Sequence, residues 1–340
     1  MFAYASDFFV LRTPMLPYRT AIDLYNQDNL LTHYTPEMVQ EALYIASPVL
    51  YTAFMKYKSG ALQQPREIRK VTTALWQYLV RMSTRCTPFG IFSGCAVGTF
   101  GEVTRLELAA PENIRRHMRL DMDYLCKVAD FLADHQSMKG QLTYHPNSSL
   151  YKYAQQWRYA RYNHQGEARI YELVKVEMTP VLNKVIKQAA NGLSFARLVA
   201  LVTAFDVTTE EAAGYIVQLI DAQILKSDLE ANISGEAFTQ ELIGTLQQYQ
   251  HTEQLVQVLL HTRQQMQQIN AAPGVEAYRG IRDNLDVLPV AIDESRLFQV
   301  DTVKQVVCNQ LSPAIAEEIK EALFILGCLN NEQRQHTKLE

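Results

Sequence analysis

The sequence predicts an α+β fold, mixed helices and antiparallel sheets with an embedded winged-helix subdomain. Three observations carry this reading. Apolar residues recur every three or four positions in segments bounded by helix caps; a tyrosine-rich stretch of strand formers is broken by turn signals; and one region runs hairpin, three helices, strand. With 340 residues, 48% of them hydrophobic, the chain can bury a sizeable core, and its length suits about two ordinary domains.

The elements follow in order. Phe8-Phe9-Val10-Leu11-Arg12-Thr13-Pro14 reads as a strand stopped by proline. Thr35-Pro36-Glu37 reads as N-cap, N1 proline and first-turn acid of a helix, and Ser47-Pro48 opens a second one that reaches Lys58. Ile68, Val71, Leu75, Leu79 and Met82 mark an amphipathic helix from Pro65 to about Arg85. Glycines at 90, 94, 98 and 101 favour strands and turns, and Met122 to Leu132 is helical again. Residues 141 to 178 are strand-like, with turns at Pro146-Asn147-Ser148 and Asn163-His164-Gln165-Gly166. Three helices come next, opened by Thr179-Pro180, by Ser194 and by a Thr208/Glu211 capping box; Gly192 closes the first. A short strand from Ile224 to Leu229 completes the winged-helix order. From Gly235 the pattern is mainly helical, with helices at Thr252 to Ile269 and Pro313 to Leu329 and a strand at Leu297 to Val300. The domain reading is therefore 1–140, an α+β part; 141–232, the winged helix; 233–338, a mainly helical continuation. Leu339-Glu340 reads as residues contributed by a cloning vector.

Five cysteines, Cys86, Cys95, Cys126, Cys308 and Cys328, are odd in number and widely spaced, which suits reduced thiols in a cytoplasmic protein. The apolar run Ala322 to Leu329 is far below the ~20 residues needed to span a bilayer, and the N-terminus lacks a basic signal region. The net charge of −4 is unevenly spread: residues 1–120 carry 13 Lys/Arg against nine Asp/Glu, and the remainder carries 19 against 27. Lys56, Lys58, Arg66, Arg69, Lys70, Arg81 and Arg85 face one acid, Glu67, enough for a local anion-binding patch as well as for a solvated helix face. The histidines form no HExxH or metal pair, and there is no GxSxG, P-loop or Rossmann glycine pattern. The sequence thus argues against a metal or nucleotide mechanism; no metal and no cofactor are expected.

The most informative string is Arg81-Met82-Ser83-Thr84-Arg85-Cys86-Thr87-Pro88-Phe89-Gly90-Ile91-Phe92-Ser93-Gly94. Arg81 and Arg85, four apart, share one face of a helix, while Thr87 is held out of the α region by Pro88. Two guanidiniums flanking a turn suit a phosphate or a carboxylate; arginines in a last helical turn also complement the macrodipole. This string closely resembles the RxSxRxTPFGxFxG signature of the LanB lantibiotic dehydratases. Leu11-Arg12-Thr13-Pro14 resembles that family's R-x-P element, Arg119-Leu120-Asp121-Met122 its RxD element, and Phe298-Gln299-Val300-Asp301 a later strand ending in aspartate.

The resemblance runs in order from residue 8 to about 330 and implies the N-terminal part of a glutamylation domain. Such enzymes use glutamyl-tRNA as co-substrate to esterify serine and threonine of a ribosomal precursor peptide before elimination. It implies that Arg12, Arg81, Arg85, Thr87, Asp121 and Asp301 line the glutamylation site and that Lys56, Lys58, Arg66, Arg69 and Lys70 meet tRNA. Asp121 also suits the N-cap of the following helix.

A winged helix commonly binds DNA, but here no basic residue lies between Arg197 and Lys226 while Asp206, Glu210, Glu211 and Asp221 are acidic, which disfavours a phosphate backbone. The resemblance implies instead that the leader peptide adds a strand to the edge Arg169 to Val176, with Arg169, Tyr171, Leu173, Tyr215, Ile216 and Leu219 as contacts; at helical spacing an individual Ile or Leu is more often packed in the core than bound to a ligand. The expected partners are the precursor peptide, glutamyl-tRNA, the remaining part of the dehydratase and a possible second copy; no DNA is expected. The chain alone is expected to bind leader without turnover. An aminoacyl-tRNA-dependent peptide ligase without elimination and a non-catalytic peptide-binding module are the alternatives.

Overall fold

The computed structural model describes residues 7–26, 29–165, 168–231 and 237–330; Gly166, the 232/233 boundary and Leu339-Glu340 lie outside the described residues. In chain order, strand β1 (Phe8–Pro14) leads to helices α1 (Tyr18–Asn26), α2 (Glu37–Ala46), α3 (Pro48–Lys58) and α4 (Pro65–Thr84). Strands β2 (Ser93–Phe100), β3 (Arg105–Leu108) and β4 (Ile114–Leu120) follow, then α5 (Met122–Asp134) and α6 (Gln136–Lys139). Next come β5 (Thr143–Pro146), β6 (Tyr151–Tyr153), β7 (Gln156–Gln165) and β8 (Ala168–Glu177), then α7 (Pro180–Gln188), β9 (Leu193–Ser194), α8 (Phe195–Thr203), α9 (Thr209–Asp221) and β10 (Leu225–Ser227). The chain continues through α10 (Phe238–Leu246), α11 (Glu253–Gln268), α12 (Val275–Leu285), β11 (Phe298–Lys304), β12 (Val306–Leu311) and α13 (Pro313–Asn330).

These elements form two compact units, one of residues 1–119, 263–284 and 293–340, the other of 120–262 and 285–292. The units do not follow chain order, as the reading 1–140, 141–232, 233–338 does, because late segments return to the first unit, 263–284 as helix and 298–311 as strands.

In the first unit β2 is the organising strand. It pairs antiparallel with β1 over its full length, from Phe8 opposite Thr99 to Pro14 opposite Ser93. Along its other edge β11 and β12 both run parallel to it, with Val303 opposite Cys95 and Gln310 opposite Thr99. β4 flanks β11, and β3 flanks β12 antiparallel. The sheet is therefore mixed, where the local pattern predicts antiparallel sheets; parallel pairing joins segments some two hundred residues apart and leaves no local signal. The predicted strand at 297–300 extends to Lys304 and is followed by β12. Val71, Leu75, Leu79 and Met82 of α4 are buried, in line with the predicted stripe, and the Tyr34 hydroxyl donates to the Leu75 carbonyl at 2.8 Å.

The second unit holds two small antiparallel sheets, β10-β5-β9 and β6-β7-β8, with β8 an edge strand among the described residues. The predicted returning strand exists as β10, but it pairs with β5 and not with the long hairpin. The Gln223 side chain ties that hairpin in, donating to the Tyr162 carbonyl at 2.7 Å and accepting from its N–H at 3.1 Å. Ser47, Thr179 and Thr208 cap their helices as predicted, the last in a reciprocal box with Glu211, and Gly192 has a positive φ of 85°. Ser194 occupies the N-cap of α8 without a side-chain bond. Thr35 does not cap α2: Pro36 holds that position, and Thr35 is the αR residue ending a preceding 3-10 turn.

Candidate functional site

The site grows from the end of α4. Arg81, in its last turn, is half-buried and lays its guanidinium over the Phe89 ring at 4.1 Å, with Phe92 further off at 5.8 Å. Arg85 leaves the helix as its C-cap in extended conformation and is exposed, as is Thr87. The turn between them is anchored from below. Ser93 Oγ donates to the Thr87 carbonyl at 2.7 Å, the Phe92 N–H to the Phe89 carbonyl at 2.9 Å, and Thr302 Oγ1 to the Gly90 carbonyl at 3.0 Å. Gly90 has φ of 53°, a left-handed conformation that side chains disfavour, and an added Cβ would sit 3.3 Å from Ile45 Cγ2.

The sheet delivers two more predicted residues to this end of the unit. The chain leaving β1 bonds to both sides of the motif, Met15 N–H to the Phe92 carbonyl and Leu16 N–H to the Met82 carbonyl. Arg12, two residues before that exit, is exposed and opposite Cys95, which in turn is opposite Val303. Asp301, two positions before Val303 on β11, shares that exposed face because alternate strand residues point the same way. Its carboxylate pairs with Arg119 Nη2 at 3.0 Å, and Arg119 also donates to Gln299 Oε1 at 3.1 Å. Arg12, Arg81 and Arg85 have no carboxylate partner among the described residues.

On the inner face of β11, Lys304 is buried and donates from Nζ to the Pro14 carbonyl at 2.9 Å. Its stem fills the notch over Gly94, where an added Cβ would fall 2.5 Å from Lys304 Cγ. Burial pushes the ammonium pKa down from its usual value. Thr302 and Lys304 thus fasten the motif turn and the end of β1 to one strand; neither is legible as a site residue, since nothing local says that this strand passes beneath the motif.

Other predicted residues are placed elsewhere. Asp121 belongs to the second unit and is the N-cap of α5, accepting from the Asp123 N–H at 2.8 Å. Lys56 and Lys58 end α3, and Arg66, Arg69 and Lys70 lie in the first turns of α4; at 1.5 Å per residue Arg66 is about 22 Å along the axis from Arg81. In the second unit Ile170, Tyr171 and Leu173 of β8 are exposed, while Arg169 Nη2 pairs with Asp130 at 2.8 Å and the guanidinium stacks on Tyr162 at 4.5 Å. Tyr215 is half-buried; Ile216 and Leu219, 0% and 5% exposed, pack inward and hold α9 in place. No cluster of possible metal ligands, and no helix long and apolar enough to cross a membrane, occurs among the described residues.

Comparison with known proteins agrees with this architecture. The family described as "Lantibiotic dehydratase, N terminus" matches residues 35–340, and the chain belongs to it. It is 23% identical to the epidermin biosynthesis protein EpiB of Staphylococcus epidermidis over 96% of this chain and 33% of that protein. Against the nisin biosynthesis protein NisB of Lactococcus lactis subsp. lactis it is 30% identical over 33% of this chain and 11% of that protein. Among solved structures, the tRNA-dependent lantibiotic dehydratase MibB from Microbispora sp. 107891 shares the fold with a TM-score of 0.74 at 19% identity, over 93% of this chain and 30% of that one. The glutamylation domain TbtB from thiomuracin biosynthesis gives 0.55 at 14% identity, over 81% of this chain and 33% of that one. The chain thus spans about a third of the length of the curated relative EpiB.

Proposed function

We propose that this chain forms the front of a glutamylation domain that transfers glutamate from glutamyl-tRNA to serine and threonine of a ribosomal precursor peptide, preceding elimination. The observation that carries the reading is that Arg12, Arg81 and Arg85, none with a carboxylate partner among the described residues, stand on segments bonded to one pinned turn bearing Thr87. In the transfer, the peptide hydroxyl oxygen bonds to the ester carbonyl carbon, the bond to the tRNA ribose oxygen breaks, and the proton passes to that leaving oxygen. No redox step and no cofactor are needed. Charge develops on the carbonyl oxygen and the leaving oxygen, where fixed guanidiniums stabilise it, so that positioning and electrostatics supply the catalysis. Asp301 pairs with Arg119 on the face that it shares with Arg12.

Residues 141–232 are read as a winged-helix element that holds the leader peptide. Support comes from the edge position of β8 among the described residues, its exposed Tyr171 and Leu173, and the exposed acids Asp206, Glu210, Glu211 and Asp221, which suit a peptide better than a nucleic acid. Assayed alone, the chain binds leader and makes no adduct, since the relatives named above are about three times longer.

The test is to incubate the full-length enzyme with precursor peptide, glutamate, tRNA and its synthetase, and to weigh the peptide. Glutamyl adducts are expected, and Arg81→Ala with Arg85→Ala abolishes them while leader affinity persists. Adducts surviving that double replacement would remove the arginines from the mechanism. Adducts that accumulate without dehydration, in a protein with intact downstream sequence, would mark a ligase.

A further inference from the structure

The outward face of α4 carries more than charge. Its inner stripe is buried, so Arg66, Arg69, Lys70, Thr73, Trp76 and Gln77 are exposed along the opposite side. Among them the Trp76 indole is 41% open to solvent. Trp76 makes no ring contact and no hydrogen bond among the described residues, and Arg66, Arg69 and Lys70 make no ion pair there. Trp76 lies seven residues, about 10 Å along the axis, from Arg69 on nearly the same side of the helix, and five residues, about 7.5 Å, from Arg81, which is turned about 140° around the axis toward the motif. An unpaired aromatic beside cations is an arrangement that holds single-stranded nucleic acid: cations track phosphates and the ring stacks on a base, whatever its identity.

We propose that this face seats the unpaired 3′ end of the charged tRNA, with Trp76 stacking on one of its last bases while the terminal ester reaches Arg81, Arg85 and Thr87. This rests on the glutamyl-transfer reading of the same turn. The spacing fits, since about 7.5 Å is roughly two stacked nucleotides at ~3.4 Å each. The far cations Lys56, Lys58 and Arg66 then meet the following phosphates. The stripe thus connects the motif to a basic patch that is otherwise too distant to take part. Charge complementarity selects this occupant: the only acid on the helix is Glu67, which lies about 100° around the helix from Arg66, away from the stripe's centre.

The experiment uses the full-length enzyme. Trp76→Ala is expected to raise the KM for glutamyl-tRNA about tenfold, with kcat and leader affinity unchanged, and Trp76→Phe to retain most of the wild-type KM. An RNA hairpin with an unpaired 3′ end should compete with glutamyl-tRNA better against wild type than against Trp76→Ala, and a blunt hairpin should compete equally and weakly with both. An unchanged KM, a loss of precursor-peptide affinity in its place, or equal competition by blunt and tailed hairpins would overturn the proposal. If wild type makes no glutamyl adduct, the transfer reading itself fails; direct binding of the tailed hairpin to wild type and Trp76→Ala still decides whether Trp76 stacks on RNA.

Discussion

Glu41 and Arg116 form a two-pronged ion pair inside the first unit, with both hydrogen bonds at 2.6 Å and side chains 1% and 6% exposed. The Tyr278 hydroxyl donates to the same carboxylate at 2.8 Å, and Asn270 pairs with the Arg116 backbone in both directions. Four segments of the sequence meet at this point. Removing one charge strands the other, so Glu41→Gln is expected to cost about 3–5 kcal/mol in denaturant unfolding, while Glu41→Met with Arg116→Met recovers most of it. Lys304 is the second residue whose burial has a measurable sign. Its ammonium is depressed in the folded protein, so between its folded pKa and the unfolded value of 10.5 the unfolded chain binds more protons. Stability relative to Lys304→Met, which does not titrate there, is expected to rise with pH across that window; a flat or falling difference in unfolding experiments would contradict the burial argument.

The helices that present the basic residues are held by local devices, and these were readable. Ser47 accepts from the Leu50 N–H at 3.2 Å at the head of α3; Ser47→Ala is expected to cost about 1 kcal/mol, seen as a lower midpoint in thermal unfolding. The turn after α4 is equally local in part. Gly90 was legible as a turn residue, and Gly90→Ala is expected to destabilise by about 1–2 kcal/mol through its left-handed backbone and the contact with Ile45. In a glutamylation assay the same variant should lose turnover with little change in leader affinity, because the turn carries Thr87 and leans on Arg81 through Phe89. Legibility failed where an element's neighbour comes from far along the chain. The run Ile114–Leu120 carries three arginines and a histidine in seven residues, so its polarity hid a strand whose alternate residues Arg116, Met118 and Leu120 are buried. Thr35 likewise offers a plausible cap from its type, yet the preceding 3-10 turn claims its backbone.

At the scale of the molecule, the proposed transfer and leader-binding residues fall in different units, and substitutions should separate the two tasks if the proposal holds. Tyr171→Ala with Leu173→Ala on β8 is expected to weaken leader binding on the order of tenfold or more and to leave the KM for glutamyl-tRNA unchanged; Arg85→Ala should do the reverse. Cross-effects in either variant would mean that the tasks are not divided this way. The sequence by itself determined the α+β class, the caps of α3, α7 and α9, the amphipathic stripe of α4 and the arginine-bearing turn, because each depends on residues within a few positions of one another. Only the tertiary structure decided that β11 and β12 run parallel to β2, that Thr302 and Lys304 fasten the motif from beneath, and that Asp301 meets Arg119 on the face shared with Arg12. Those contacts join residues one hundred to three hundred positions apart, and such pairings follow from packing and chain closure, which leave no periodicity in the sequence to read.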